Sequence, residues 1–357
     1  MKRIMIGACL LAGIAAGHAQ TTVLPYTPGI TQEGVTYYLP QTMLSITVTA
    51  TCTTATPGDL NAYAGRYLKL NDVIREKQVS WVIDDVSITP FGVPDTSKVY
   101  SIPLKKATTA PLVSLSKNGL LLAVNSQVEE EPNPKDPNLN KEEKSLLNPR
   151  DFMTQEILMA GSAAKMAELT ASEIYDIRDS RSQLSKGQAD NMPKDGEQLK
   201  LMIQQLNTQE EALLQLFKGK TEKVTRSFTM NFLPTKNVKK QILFRFSTEL
   251  GVVDEENLAG EPIYIDVVNQ KTVPSEQTDG KKKKTDEQAL RYNVPSDVTV
   301  KLYTRERKLA EITAPMGQFG HVDILSSELF NKRTSTQVLF YQSTGGVKKI
   351  IEDYPGK

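Results

Sequence analysis

Cysteine, histidine and tryptophan are scarce in this chain of 357 residues, which contains two cysteines, two histidines and one tryptophan. A histidine-based metal site draws on several His, Cys or carboxylate ligands at fixed spacings, and no such spacing occurs. The sequence also lacks a Gly-x-Ser-x-Gly elbow, a P-loop, a dinucleotide-binding fingerprint and the His-Glu-x-x-His zinc motif. We therefore assign no catalytic, cofactor-binding or metal-binding residue from the sequence.

The first nineteen residues have the pattern of a secretory signal peptide. Lys2 and Arg3 precede an apolar run over residues 4–16, and small residues at 17 and 19 form a cleavage site before Gln20. Cys9 follows too short an apolar segment for lipoprotein processing, so we expect cleavage after Ala19, a periplasmic or otherwise exported protein, and no lipid anchor. The mature chain would retain only Cys52, which excludes an intramolecular disulfide.

The charges are almost balanced. The chain has 43 basic and 42 acidic residues, and removal of Lys2 and Arg3 changes this to 41 against 42, from a net charge of +1 to −1. Proteins that bind nucleic acids usually have a strong excess of basic residues, so nucleic-acid binding is not expected here. Four lysines lie in a predicted solvated loop at 271–288, but neighbouring acids argue against peripheral membrane contact. They are Lys281, Lys282, Lys283 and Lys284.

Alternating apolar and polar residues predict β-strands in two parts of the chain, 20–127 and 220–357. Leu44, Ile46 and Val48 mark one strand of the first part, which also contains a short helix near residues 60–68. Asn118 and Gly119 predict a type I′ hairpin turn. Where Asp84 and Asp85 interrupt the alternation of neighbouring strands, we expect a bulge or tight bend. Residues 128–148 form an acidic, proline-rich segment that we interpret as a loop.

Between the two β-rich parts, residues 149–219 carry two helical patterns broken by Gly187, Pro193 and Gly196. The apolar face of the first is mostly alanine and predicts close packing: Ile157, Ala160, Ala164, Ala167, Ala171, Ile174 and Ile177. The second has larger residues: Leu199, Met202, Ile203, Leu206, Leu213, Leu216 and Phe217. Gly219 is placed as its carboxyl-terminal cap. We therefore predict an α+β fold in which two antiparallel, sandwich-like β-rich parts are joined by a long α-helical hairpin.

Two short stretches resemble each other across these parts. Tyr37 precedes Pro40 and a strand, and Tyr292 precedes Pro295 and a strand in the same way. The similarity suggests two related β modules, but two matches do not establish a duplication. The sequence leaves open whether the β parts form one domain or two.

Three single residues could carry chemistry. Cys52 has the strand parity of Ile46 and Val48, which favours a core thiol over a reactive one. His321 could act as a general base with Asp323, but an ordinary surface or loop histidine is favoured. Trp81 lies on an alternating apolar face, which favours core packing over a sugar-binding platform.

Paired carboxylates leave no local signature, so several neighbouring acids remain candidates for a glycosidase-type pair. These are Asp84 with Asp85, Asp254 with Glu255 and Glu256, and Glu210 with Glu211. Adjacent acids on a strand point to opposite faces, and the acids of the second helix are expected to be solvated. An ordinary surface role is therefore favoured for each.

Several residues together resemble a family found in Bacteroidetes, domain of unknown function 4831. They are Tyr37, Tyr38, Leu39 and Pro40; Pro57, Gly58, Tyr63, Ala64, Tyr67 and Leu68; Gly119, Leu120, Leu121 and Asn125; Ala167, Ile174, Tyr175, Ile177 and Arg178; Pro193, Asp195 and Gly196; and Leu216, Phe217 and Gly219. The resemblance implies a secreted envelope protein of a Gram-negative bacterium and carries no assigned activity.

The sequence therefore favours an exported, non-enzymatic scaffold or binding module for another envelope component, with an envelope protein as its partner. The alternative is a carbohydrate-active enzyme or glycan-binding module whose carboxylates the sequence does not place. A third hypothesis is contact with an anionic surface through the lysines at 281–284. No transmembrane segment is expected in the mature chain.

Overall fold

Long antiparallel strands dominate the computed structural model, which describes residues 24–25, 34–103, 113–134, 141–142, 147–193, 195–274, 290–325 and 335–353. The strands are β1 (Leu24–Pro25), β2 (Gly34–Thr56), β3 (Gln78–Pro103), β4 (Val113–Leu115), β5 (Leu121–Val124), β6 (Lys141–Glu142), β7 (Lys220–Phe232), β8 (Val238–Ser247), β9 (Gly251–Val253), β10 (Glu261–Asn269), β11 (Leu290–Tyr303), β12 (Lys308–Leu325), β13 (Ser335–Phe340) and β14 (Val347–Asp353). The α-helices are α1 (Ala64–Tyr67), α2 (Gln155–Leu158), α3 (Ala163–Lys186) and α4 (Gly196–Lys218).

The described strands form three antiparallel sheets. The first has the order β1-β3-β2-β7-β6, the second β12-β11-β10-β8-β9, and the third β14-β13-β5-β4. The first and second sheets enclose the main core, in which Leu44, Ile46 and Val48 of β2 are fully buried together with side chains of β10 and β11. The inward alternation predicted for this strand is confirmed. Each such buried aliphatic side chain contributes about 1.5–3 kcal/mol relative to an exposed one.

A second core lies between the third sheet and the first residues of β2 and β11, and includes Tyr37 and Leu290. Pairing of β2 with β3 shifts register between Tyr38 and Pro40, and that of β11 with β12 shifts between Val294 and Ser296. Proline lacks the backbone N–H that the ladder needs. Each long strand therefore changes register at its proline and continues into the other core.

Each of the two similar stretches also forms a backbone hydrogen bond to the carbonyl of a glycine. The N–H of Tyr38 donates to the carbonyl of Gly119 at 2.9 Å, and the N–H of Asn293 donates to the carbonyl of Gly345 at 3.1 Å. Both glycines have positive φ, 79° and 73°. The local geometry is thus alike at the two sites, while a common origin of the modules stays a prediction.

The predicted architecture of two antiparallel, sandwich-like β-rich parts joined by a long helical hairpin is wrong. The first sheet places β7, which follows the helices in the chain, directly beside β2, which precedes them. The third sheet likewise pairs β5 with β13. Periodicity shows which residues of a strand face inward but contains no information about which strand lies next to it. The helices therefore do not connect two independent β parts.

The helical segments form a third core with the short helix α1. The predicted burial of the alanine-lined face is confirmed over Ala167, Ala171, Ile174 and Ile177, which pack with Phe217 of α4 and other apolar side chains. The first helical pattern is nevertheless divided, because α2 ends at Leu158 and α3 begins at Ala163. The hydroxyl of Ser162 accepts a hydrogen bond from the N–H of Lys165 and caps the new helix.

Three predicted local features can be compared with the structure. The bulge near residues 84–85 is confirmed, since Thr49 pairs with Asp85 and Ala50 with Ile83. Gly219, with φ of 87°, is confirmed as the cap of α4. A hairpin forms at residues 116–120, but positive φ occurs at Gly119 alone, so the type I′ assignment is wrong.

Several predictions fall outside the described residues. These include the signal peptide at 1–19, most of the lysine-rich segment at 271–288 and parts of the segment at 128–148. The predicted domain boundaries stay predictions. Within the described part of the chain, no helix is both long and apolar enough to span a membrane.

Candidate binding groove

An open groove lies where β7 of the first sheet faces β8 and β9 of the second. Its volume is about 670 Å³. Its apolar lining residues are Phe228, Met230, Leu243, Phe244, Val252 and Val253. Four of them, Met230, Leu243, Phe244 and Val252, belong to the main core or pack against it. A groove of this kind can accept apolar groups without a new cavity opening in the core.

One rim of the groove is strongly acidic. Asp254, Glu255 and Glu256 follow β9, are exposed and line the groove together. Among the described residues none of the three forms an ion pair. Their expected placement on opposite faces is wrong, because they lie on a loop after the strand has ended. Within the described part of the chain, the rim therefore carries three negative charges and no cation forms an ion pair with them.

Arg245 of β8 holds the acidic loop through its main chain rather than its carboxylates. Its Nε donates to the carbonyl of Glu255 at 2.7 Å, and its Nη1 donates to the carbonyl of Gly260 at 3.1 Å. A side chain at position 260 would place its Cβ 2.9 Å from the Cβ of Arg245. The guanidinium thus fixes the loop, and the carboxylates stay directed to solvent and the groove.

Two leucines project beside this acidic loop. Leu258, within the loop, is 83% exposed, and Leu250, in the turn between β8 and β9, is 56% exposed. Single exposed leucines are common, but these two flank the three acidic residues along the chain. They add exposed apolar side chains to the segments that precede and follow the acidic rim.

Trp81 packs against Phe228, one of the residues of β7 that line the groove. Trp81 is 8% exposed, its ring lies 6.1 Å from that of Phe228, and its backbone N–H donates to the carbonyl of Thr248 at 2.7 Å. Gly251 packs against the indole, since an added Cβ would lie 3.0 Å from it. The predicted core packing of Trp81 is confirmed.

Glu210 is buried, contrary to the expected solvation of acids on the second helix. Its Oε1 accepts from Nε of Arg178 at 2.7 Å, and its Oε2 accepts from Nη1 of Arg181 at 2.5 Å. Burial raises the pKa of Glu210, but hydrogen bonds from both arginines outweigh it and hold that pKa below its ordinary value. Arg178 and Arg181 lie one helical turn apart and therefore share one face of α3. In the sequence, this spacing was the signal that could have indicated a shared acidic partner.

Among the described residues, His321, Asp84 and Cys52 do not form a common site. His321 is half-buried on β12, not in a loop, and its Nδ1 has no hydrogen-bond partner among the described residues. Asp323 instead accepts from the hydroxyl of Tyr292 at 3.3 Å. Asp84 accepts from the hydroxyl of Thr51 at 2.6 Å, and Cys52 is half-buried. Among the described residues, no three His, Cys, Asp or Glu side chains are grouped to hold a metal ion.

Comparison with protein families matches residues 33–348 to the domain of unknown function DUF4831. The chain belongs to this family. No curated protein and no solved structure matches the chain.

In this DUF4831 protein, some residues of the family resemblance join the helices to the first sheet. The carbonyl of Leu216 accepts from the N–H of Leu60 at 2.8 Å. A Cβ at Gly58 would lie 2.2 Å from that carbonyl oxygen, and a Cβ at Gly219 would lie 2.4 Å from the carbonyl oxygen of Thr56. These glycines permit a close backbone approach, which gives them a structural explanation without a ligand.

Proposed function

We propose that this DUF4831 protein is an exported, non-enzymatic binding module that holds another component of the bacterial envelope in the groove between β7, β8 and β9. The observation that supports the proposal is an apolar groove of about 670 Å³ with an acidic rim that arginine holds in place. A pre-ordered surface binds with a smaller entropy cost than a flexible one. The signal-peptide pattern of residues 1–19 supports export.

Site-directed photo-crosslinking in the native bacterium tests this function. A photoreactive amino acid replaces Leu258 beside the groove, and a matched variant carries it at Asn118, an exposed turn position of the third sheet. We expect the Leu258 position to give a discrete adduct with an envelope protein, identified by mass spectrometry, and the Asn118 position to give none. Equal adducts at both positions, or none at Leu258, would refute the proposed site.

Export is tested separately by cell fractionation and amino-terminal sequencing. We expect the protein in the periplasmic fraction with Gln20 as its first residue. Recovery of the full-length chain from the cytoplasm would contradict the proposed compartment.

A further inference from the structure

The occupant of the groove can be specified further by its chemistry. We infer that the groove between β7, β8 and β9 binds a segment of a partner protein in which apolar side chains alternate with or adjoin lysine or arginine. This inference rests on the proposed binding function. It adds that the occupant carries positive charge and that it is a polypeptide.

The apolar requirement follows from the lining. Phe228 and Met230 of β7 and Leu243 and Val252 of β8 and β9 are half-buried, and all of them except Phe228 pack against the main core. The volume of about 670 Å³ falls within the range of about 300–1,000 Å³ that drug-sized ligands fill. The groove therefore has room for more than one aliphatic or aromatic side chain.

The positive charge follows from the rim. Asp254, Glu255 and Glu256 are adjacent, exposed and without an ion pair among the described residues. Charges of one sign beside a surface favour a partner of the opposite sign and disfavour one of the same sign. Because Arg245 is engaged with the carbonyls of Glu255 and Gly260, it leaves the carboxylates available to the partner.

A protein segment fits better than a small cationic amphiphile because an exposed leucine lies on each side of the acidic residues in the chain. Leu258 and Leu250 are 83% and 56% exposed on either side of the acidic residues. A small ligand confined to the groove leaves both leucines in water, whereas a polypeptide can cover the groove and the leucines together. Burial of apolar area is the main favourable contribution to such an interface.

Binding can be measured with defined peptides and the protein's own fluorescence. Trp81 is the only tryptophan in the chain, and its ring contacts that of Phe228, which lines the groove. The probes are an acetylated peptide of alternating lysine and leucine, its glutamate–leucine counterpart and its lysine–serine counterpart. Titration calorimetry with each peptide accompanies the fluorescence measurement.

We expect the lysine–leucine peptide to bind and the other two to bind about tenfold more weakly. Neutralising the rim in one variant, Asp254→Asn with Glu255→Gln and Glu256→Gln, should weaken binding about tenfold. The matched control replaces Asp72 by asparagine and Glu76 and Glu211 by glutamine. These three acids are exposed, lie outside the groove lining and form no ion pair among the described residues, so the net charge changes equally and affinity should be unchanged. Leu258→Ser should weaken binding without changing its salt dependence.

Several results would overturn the inference. One is equal binding of the lysine–serine peptide, which would show attraction by charge alone. Others are equal binding of the glutamate–leucine peptide, equal loss in the two triple variants, or saturable binding of dodecyltrimethylammonium with no binding of the lysine–leucine peptide. If Leu258 crosslinks to an envelope protein while the peptides do not discriminate, the proposed function stands and the inferred chemistry fails. Without adducts or peptide binding, both fail.

Discussion

Replacement of Glu210 by glutamine tests the contact between α3 and α4. The carboxylate accepts hydrogen bonds from Arg178 at 2.7 Å and from Arg181 at 2.5 Å, and its own side chain is 11% exposed. Arg181 also donates to Oδ1 of Asn207 at 2.7 Å. Glu210→Gln keeps the size of the side chain but removes its charge and one of its acceptor oxygens. The two guanidinium groups then lose their common partner.

The expected loss follows from these contacts. A hydrogen bond to a charged group contributes about 1.5–3 kcal/mol when it is buried, and an exposed ion pair contributes about 0.2–1 kcal/mol. The side chains of Arg178 and Arg181 are 36% and 33% exposed, so solvent screens part of the interaction. We therefore expect the free energy of unfolding to fall by about 1–2 kcal/mol at neutral pH.

The loss should depend on pH. Burial acts to raise the pKa of Glu210, but the arginine hydrogen bonds and charges hold it below the ordinary value. A lowered folded-state pKa gives stabilisation that is complete above the unfolded-state pKa of about 4.3 and disappears as the pH falls through the folded-state pKa. The difference between the natural protein and Glu210→Gln should therefore shrink as the pH falls below about 4.

Urea unfolding followed by far-ultraviolet circular dichroism measures this difference across the acid range. Glu211→Gln is the matched control, because Glu211 is exposed and has no ion pair among the described residues. We expect the control to leave the unfolding free energy within about 0.5 kcal/mol. A loss of the same size in both variants, or a loss in Glu210→Gln that does not change with pH, would refute the assigned role of Glu210.

Two further substitutions test the close contacts between elements. Gly58→Ala should strongly reduce the thermal unfolding temperature, because the new Cβ would lie 2.2 Å from the carbonyl oxygen of Leu216. The control Gly65→Ala should have little effect, because the nearest atom to its new Cβ is 3.8 Å away. Similar reductions in the two variants would contradict the close contact at Gly58. Asn293→Ala should lower the unfolding free energy by about 2–4 kcal/mol in urea, because the buried amide donates to the carbonyls of Pro40 and Thr344, and a loss below about 0.5 kcal/mol would contradict this role.

Local features were predictable from the sequence because they depend on neighbouring residues. Alternation identified the inward residues of β2, and the interrupted alternation located the bulge at residues 84–85. The glycine after Lys218 marked the end of α4. Each of these signals arises from strand or helix periodicity and from the conformational freedom of glycine.

The groove could not be predicted in the same way. Phe228 and Leu243 both have ordinary strand patterns, and only the placement of β7 opposite β8 and β9 brings them to one opening. The acidic residues after Val253 were visible as a cluster, but their position on a loop at the groove margin depends on Arg245 and the main chain at Gly260. The groove is therefore a product of chain packing.

By itself, the sequence determined the strand-forming and helix-forming segments and the faces that need burial. The tertiary structure decided that strands from both sides of the helices share sheets, that Glu210 is buried between two arginines, and that three acids border an apolar groove. The physical reason is the range of the interactions. Periodicity and capping act over a few residues, whereas sheet order and burial depend on which distant segments pack together.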